Sequence, residues 1–285
     1  MRLAEIRRYP VKSLRGHSLR EAVVERVGLS GDRRWMIIDQ AGKFLTQRQH
    51  PKLAQIDAIP IEGGVELRHA QHGTLAVIFP DERAPQETVL VWRDAVRARI
   101  AGAASAYLSD YIGQPVRLAY LHDPQARAVD SAFGHADDRV SFADGFPLLI
   151  TLTASLDNLN RRLPRPITMD RFRANLVIEG SLAWIEDTWR CIRIGALTLR
   201  IAKPCSRCAI PTLNPLTGEQ PDGNEPLQTL ASFRRDLRFG IMFGQNAIPD
   251  ASARVFLGDR VDILEVGAPN VQFLNDSTPA TRATR

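Results

Sequence analysis

The residues best suited to chemistry are two cysteines, Cys205 and Cys208, which stand three positions apart in the run K-P-C-S-R-C. Cysteines with this spacing bind zinc, contribute to iron–sulfur clusters or form redox disulfides. Lys203 and Arg207 flank them, and nearby cations favour the thiolate over the thiol. Because the thiolate is the form that binds soft metals, the run is compatible with a metal-binding or nucleophilic sulfur.

The rest of the sequence argues against three of the uses of such a cysteine pair: a zinc site, an iron–sulfur cluster and a redox disulfide. Structural zinc needs four ligands, yet the chain has one further cysteine, Cys191, and its six histidines lie in the first half without an H-x3-5-H pair. Three cysteines cannot supply the four thiolates of an iron–sulfur cluster. A redox pair would begin a helix, whereas Pro204 and Pro211 predict an extended loop. A single thiolate ligand to molybdenum and two space-filling cysteines both remain open.

The elements that must position these cysteines are mostly short strands. In the first 121 residues, which we interpret as one domain, strands are predicted at 22–27, 34–39, 43–45, 65–68, 75–79 and between 89 and 100. One helix is predicted from Ala103 to Tyr111, because Gly113 and Pro115 follow it as stop signals.

A second domain is predicted over residues 122–266, beginning with an aperiodic connection at 122–141. Its strands are predicted at 148–152, 175–178, 192–194, 197–201, 253–257 and 261–265. A helix is predicted at 154–163, with Thr153 or Ser155 as its N-cap. This content predicts a mainly β (α+β) fold, in which an N-terminal β-barrel-like domain packs against a second β-barrel. The polar residues 267–285 are expected to form a flexible C-terminal tail.

Composition and charge exclude several functional classes. The chain carries a net charge of +5 without a run of five like charges, which suits an anionic small molecule or an acidic partner protein. Motifs typical of nucleic-acid binding are missing from the sequence. It has neither a signal peptide nor an apolar stretch of membrane-spanning length. Together with the odd number of cysteines, these features predict a cytoplasmic protein that binds neither membrane nor nucleic acid.

Four segments, in chain order, resemble signatures of the MOSC-domain family, named after the molybdenum cofactor sulfurase C-terminal domain. Residues 207–218 resemble its R-C-x-x-T-T-V-D-P-x-T-G signature, and residues 171–178 resemble R-F-R-P-N-I-V-I. Residues 9–16 and 31–35 resemble the Y-P-V-K-S-C-x-G and D-R-x-W segments of the MOSC N-terminal β-barrel domain. The chain departs from these signatures at five positions: Leu14, Ala174, Pro211, Leu213 and Asn214.

The resemblance implies a site for the molybdenum cofactor (Mo-molybdopterin), with Cys208 as the metal ligand and catalytic residue. It further implies that the cofactor is bound by Lys12, Ser13, Arg33, Ser155, Arg173, Asn175, Arg207 and Cys208. A pterin phosphate requires cations and free N–H donors, and the start of the helix that carries Ser155 is expected to supply such donors.

The domain arrangement is similar to that of mitochondrial amidoxime-reducing components and their bacterial counterparts. This similarity implies reduction of small N-hydroxylated substrates, such as amidoximes and N-hydroxylated nucleobases. Because the sequence lacks a dinucleotide-binding motif and a set of cluster-forming cysteines, electrons are expected from a separate ferredoxin or flavin reductase. The alternative is a carrier of the cofactor, or a sulfur-transfer protein that uses Cys208.

Overall fold

The structure, a computed structural model, describes residues 1–273 and consists mainly of short β-strands. The strands are β1 (Arg2–Arg8), β2 (His17–Leu19), β3 (Glu21–Glu25), β4 (Gly28–Leu29), β5 (Trp35–Ile38), β6 (Asp57–Ile61), β7 (Gly64–His69), β8 (Gly73–Ile78), β9 (Gln86–Val91), β10 (Asp94–Ile100), β11 (Arg117–Tyr120), β12 (Leu148–Leu152), β13 (Leu176–Glu179), β14 (Trp189–Ile194), β15 (Leu197–Ser206), β16 (Arg235–Asp236), β17 (Gly240–Pro249), β18 (Ala253–Phe256) and β19 (Val261–Val266). The helices are α1 (Ala103–Ile112), α2 (Thr153–Asn160) and α3 (Leu227–Phe233). The mainly β prediction is therefore confirmed.

The N-terminal unit contains two small sheets, ordered β5-β11-β10-β9 and β6-β7-β8. Helix α1 packs against both, because Leu108 shares one buried cluster with Ile37 of β5 and Leu67 of β7. The helix ends at Gly113, whose φ of 81° is the left-handed conformation that glycine adopts without strain. The predicted helix and the strands predicted at 65–68 and 75–79 are thus confirmed, and these two strands pair as β7 and β8.

The C-terminal unit is built on a sheet of nine strands, ordered β19-β14-β15-β17-β12-β13-β1-β2, with β16 added beside β17. Strands β12 and β13 run parallel and lie on either side of α2 in the chain, as expected for a helical crossover. Strand β12 is buried along its whole length, as its mainly apolar sequence predicts.

The first strands of the chain join the C-terminal unit. Strand β1 pairs with β13, and β3 pairs with β18. Leu3 and Ile6 lie in the same buried cluster as Ile178. The predicted boundary at residue 121 divides the chain by sequence position. In space the first strands pack with the C-terminal unit, because β1 belongs to its sheet. Residues between β1 and β5 consequently lie at the junction of the two units.

Two predictions about elements near the site are wrong. Cys205 does not lie in a loop, because β15 continues to Ser206 and accommodates Pro204 beside register shifts in its pairing with β17. Such bulges bend a strand and re-aim its side chains. Helix α2 begins at Thr153 and has no side-chain N-cap, so neither Thr153 nor Ser155 has the predicted capping role.

The first residues of the predicted flexible tail contact the rest of the chain. Within residues 267–273, Asn270 exchanges side-chain hydrogen bonds with Gln245, and Phe273 forms a bridge with Asp236. The rest of the tail prediction falls on residues 274–285, which lie outside the described residues. Over residues 1–273, none of the helices is long and apolar enough to cross a membrane.

Candidate functional site

A cavity of about 450 Å³ lies where the two units meet. Its wall is formed by the β1–β5 connection, the β9–β10 turn, the segment before β12, the loop before β13 and the end of β15. Seven of the eight predicted site residues line it: Lys12, Ser13, Arg33, Arg173, Asn175, Arg207 and Cys208. The structure therefore brings together residues that are up to 196 positions apart in the sequence (208 − 12 = 196).

Backbone strain is concentrated at this cavity. Five non-glycine residues within 1–273 have a positive φ, and four of them line the cavity: Ser13 (68°), Arg33 (46°), Trp92 (59°) and Arg173 (54°). Such conformations cost free energy and persist only where the surrounding structure enforces them, which is typical of functional sites. Strain at four of the five positions marks this cavity as the candidate site.

Two arginines are held against one buried aromatic ring. The guanidinium carbons of Arg33 and Arg173 each lie 4.3 Å from the ring centre of Tyr9. Asp32 fixes this group, since its carboxylate accepts hydrogen bonds from the Tyr9 backbone N–H (2.7 Å) and from Arg33 Nη1 (2.5 Å). Gly16 is required beside the ring, because a Cβ there would lie 2.3 Å from the Tyr9 ring. This packing explains the Y-P-V-K-S-L-R-G and G-D-R sequences together.

Lys12 is buried in the cavity wall with an acidic partner that sequence reasoning missed. Its Nζ donates to the Phe142 carbonyl (2.9 Å) and to Asp144 Oδ1 (2.5 Å). Burial lowers the pKa of Lys12. Desolvation alone would raise the pKa of Asp144, but the ammonium group of Lys12 and the Trp92 indole hold it well below its usual range. Asp144 therefore partly offsets the effect of burial on the Lys12 ammonium group.

Two guanidinium nitrogens in the cavity wall are buried without a partner within residues 1–273. They are Nη2 of Arg173 and Nε of Arg207. Burial lowers the pKa of Arg173 to about 10, and the neighbouring positive charge of Arg33 contributes to the decrease. The charged form of Arg173 is therefore destabilised at this position. Buried charged donors are normally hydrogen-bonded. Because these two nitrogens lie in a cavity wall without an acceptor, we expect a bound ligand to supply one.

The thiol predicted to bind metal is accessible and has no hydrogen-bond partner within the described chain. Cys208 is partly exposed and follows Arg207 directly after β15. Cys205 differs, because its Sγ accepts a hydrogen bond from Arg207 Nη1 at 3.0 Å. Arg207 also donates from Nη2 to the Phe172 carbonyl at 2.8 Å. The two cysteines are therefore chemically distinct, with Cys208 free to act as a ligand.

Arg171 holds the loop that follows Cys208. Its Nη2 donates to Asp222 at 2.8 Å, and its Nη1 lies 3.4–3.5 Å from the carbonyl oxygens of Pro211 and Thr212. Arg171 thus positions the loop instead of contacting the cavity.

Asn175 serves mainly to join the two halves of the site. Its Oδ1 accepts from the Leu149 backbone N–H (3.2 Å) and from Arg33 Nη1 (3.1 Å), while Nδ2 donates to the Arg7 carbonyl (3.2 Å). Because a carboxamide has two N–H donors, one amide hydrogen of this buried residue remains for a ligand.

Ser155 is the predicted site residue that the structure does not bring to the cavity. It is fully buried inside α2, where its Oγ donates to Glu186 Oε1 (2.7 Å) and accepts from the Trp184 backbone N–H (2.9 Å). Burial, reinforced by the adjacent carboxylate of Asp187, raises the pKa of Glu186 to about 7. Ser155 therefore supports a buried polar network in this structure, and α2 supplies none of the residues that line the cavity.

The charge of the cavity fits an anion. Among its lining residues are six basic side chains and one acidic side chain, Asp144, which gives an excess of five positive charges (6 − 1 = 5). The basic residues are Lys12, Arg33, Arg48, Arg173, Lys203 and Arg207. An anionic group with several acceptor oxygens satisfies such donors better than water does, and the accessible sulfur of Cys208 provides a soft metal ligand beside them. The residues present thus fit a phosphate-bearing metal cofactor.

Two protein-family models match separate parts of the chain. Residues 1–115 match the MOSC N-terminal beta barrel domain, and residues 137–267 match the MOSC domain. Mitochondrial amidoxime-reducing component 1 of Mus musculus is 31% identical over 279 residues, covering 92% of this chain and 82% of the mouse protein. The Homo sapiens protein of that name is 32% identical over 282 residues, with the same coverage.

Molybdenum cofactor sulfurase of Oryza sativa subsp. japonica is 28% identical over 273 residues, which are 88% of this chain but 33% of the rice protein. Both domain matches, and relatives above 30% identity that are covered over most of their length, show the family of this chain. This chain therefore belongs to the MOSC-domain family, in the arrangement that carries a MOSC N-terminal beta barrel domain.

Proposed function

We propose that the protein reduces small N-hydroxylated compounds, such as amidoximes and N-hydroxylated nucleobases, at a molybdenum cofactor bound in the cavity between its units. The observation that carries the proposal is the pair of buried, unpartnered guanidinium nitrogens of Arg173 and Arg207 next to the accessible thiol of Cys208. The names of the mouse and human relatives support the reaction class.

In this proposal the chain supplies ligands, orientation and charge, and the bound cofactor supplies the two-electron redox chemistry. Cys208 coordinates the metal through Sγ. Arg173 and Arg207 donate to the anionic part of the cofactor, together with Lys12. Arg33 and Asn175 hold these donors in place, because each bridges the β1–β5 connection to the loop before β13.

The reaction itself defines what else is needed. Reduction of an N–OH group to N–H consumes two electrons and two protons and releases one water molecule. The described residues contain no cluster of four cysteines, so we expect a separate ferredoxin or flavin reductase to deliver the electrons. The net charge of +5 favours an acidic donor protein.

A second candidate is cofactor carriage or sulfur transfer through Cys208, which the similarity to the rice molybdenum cofactor sulfurase supports. A carrier presents the same anion-binding cavity but does not turn over substrate. The two candidates differ in whether reductant is consumed, so an activity assay separates them.

The assay measures amidine formation from benzamidoxime by the metal-replete protein with NADPH alone, with NADPH plus a donor protein, and with a reduced viologen dye. We expect turnover with the dye and with the donor but not with NADPH alone. Donor-supported turnover should fall as salt screens the encounter, whereas dye-supported turnover should change little. Lack of turnover with the dye, in protein that carries molybdenum, would favour the carrier.

A further inference from the structure

A second cavity, of about 590 Å³, opens beside the first. We call it the arginine groove. Arg48 lines both cavities, and Ala209, the residue after Cys208, lines the groove. Gln47 also lines it and donates from Nε2 to the carbonyl oxygen of Ser13, a residue of the first cavity (2.8 Å). The groove therefore begins where the cofactor cavity and the Cys208 loop meet.

The charge of the arginine groove is unbalanced. Of its lining residues, two are arginines, Arg48 and Arg235, and none is acidic. Neither arginine forms an ion pair anywhere in residues 1–273. Arg48 is oriented by Trp92, with its guanidinium carbon 4.7 Å from the ring centre. Both cations are therefore available to an anion from outside the chain.

The other walls of the groove are suited to a flat organic molecule. Leu227 of α3 and Ile241 of β17 give it apolar surface. The side-chain amides of Asn224 and Gln228 line the same space and are free of hydrogen bonds to other described residues. Sites of this kind, apolar with a few directed polar groups, bind small molecules.

We propose that the arginine groove binds the non-reacting part of the substrate and selects molecules that carry a carboxylate or phosphate at a distance from the N-hydroxyl group. Arg235 and Arg48 bind the anion, the apolar wall covers the body of the molecule, and the N-hydroxyl end reaches Cys208. This inference rests on the proposed function and specifies its substrate class. Because both arginines are exposed, each contributes about fivefold in affinity, as a well-formed surface ion pair does.

The test compares two substrates of nearly equal shape, 4-carboxybenzamidoxime and its neutral 4-carbamoyl analogue, with a viologen dye as reductant. With the dye as reductant, the measured rates do not depend on how a donor protein binds near the groove. We expect the holoenzyme to prefer the carboxylate in kcat/KM, mainly through KM, and Arg235→Gln to lower this preference about fivefold. The control is Arg97→Gln, which removes another exposed arginine, on β10 and outside both cavities, and should leave the preference unchanged.

Binding is measured in parallel with a non-reducible pair, 4-carbamoylbenzoate and terephthalamide, by calorimetry on the same preparations. If neither amidoxime is reduced, the proposed function fails, and the binding preference still decides the role of the groove. Equal kcat/KM for the two substrates, or a preference that survives Arg235→Gln, would overturn the inference. So would an equal loss for both substrates, because that outcome assigns Arg235 a structural role.

Discussion

Replacement of Cys208 by serine is expected to abolish reduction of N-hydroxylated substrates and to release molybdenum. The thiol is partly exposed and makes no hydrogen bond within the described chain, so its replacement removes no hydrogen bond of the fold. Loss of a hydrogen bond behind a metal ligand costs about 10- to 100-fold in affinity or activity, and loss of the ligand itself should cost more. The measurement is dye-supported turnover together with the molybdenum content of the purified variant.

Cys205→Ser is the matched control, three residues away in the same strand-to-loop segment. Its sulfur accepts a hydrogen bond from Arg207 Nη1, and a serine oxygen accepts one too, so the loss should stay below about tenfold. Equal and complete loss in both variants would instead indicate a dithiol mechanism. Unchanged turnover in Cys208→Ser would remove this residue from the chemistry.

Replacement of Arg173 by methionine is expected to weaken cofactor retention by about ten- to a hundredfold, the value of a hydrogen bond to a charged group. Nη2 of Arg173 is buried without a partner, and the side chain lies close to the like charge of Arg33. Removing this cation should therefore leave the cofactor-free protein as stable as the wild type, or more stable. Methionine is chosen because its side chain is unbranched and apolar, like the stem of arginine, at a backbone position with a strained φ of 54°.

The two effects are separated by measuring the Tm of cofactor-free and cofactor-loaded protein for the variant and the wild type. Ligand binding to the folded state raises Tm, so the variant should lose most of this increase while its cofactor-free Tm does not fall. A cofactor-free variant that melts well below the wild type would show that Arg173 stabilises the fold and would contradict its assignment to the cofactor.

Local sequence patterns predicted the elements that are defined by neighbouring residues. The buried strand β12 and helix α1 follow from an apolar run and from a glycine stop signal. The pairing of β1 with β13 could not be predicted in this way, because no local pattern specifies a partner about 170 residues away. For the same reason the sequence did not indicate that the first strands join the sheet of the C-terminal unit.

The candidate site was predictable to the extent that its residues sit in recognisable motifs. Asp144, Trp92 and Arg48 lie outside those motifs and reach the cavity only through the fold. Asp144 had one weak signal, a charged residue followed by glycine just before a strongly apolar strand. Ser155, which the resemblance implied as a cofactor ligand, does not line the cavity, because tertiary packing turns its hydroxyl towards Glu186.

The most direct measurement is the metal content of wild-type protein produced in a host that makes the molybdenum cofactor. The cavity, with its five excess positive charges, two unpartnered guanidinium nitrogens and accessible Cys208, predicts about one molybdenum per chain together with the pterin, by elemental analysis and mass spectrometry of the released cofactor. Protein that contains stoichiometric zinc and no molybdenum would contradict the assignment of this cavity.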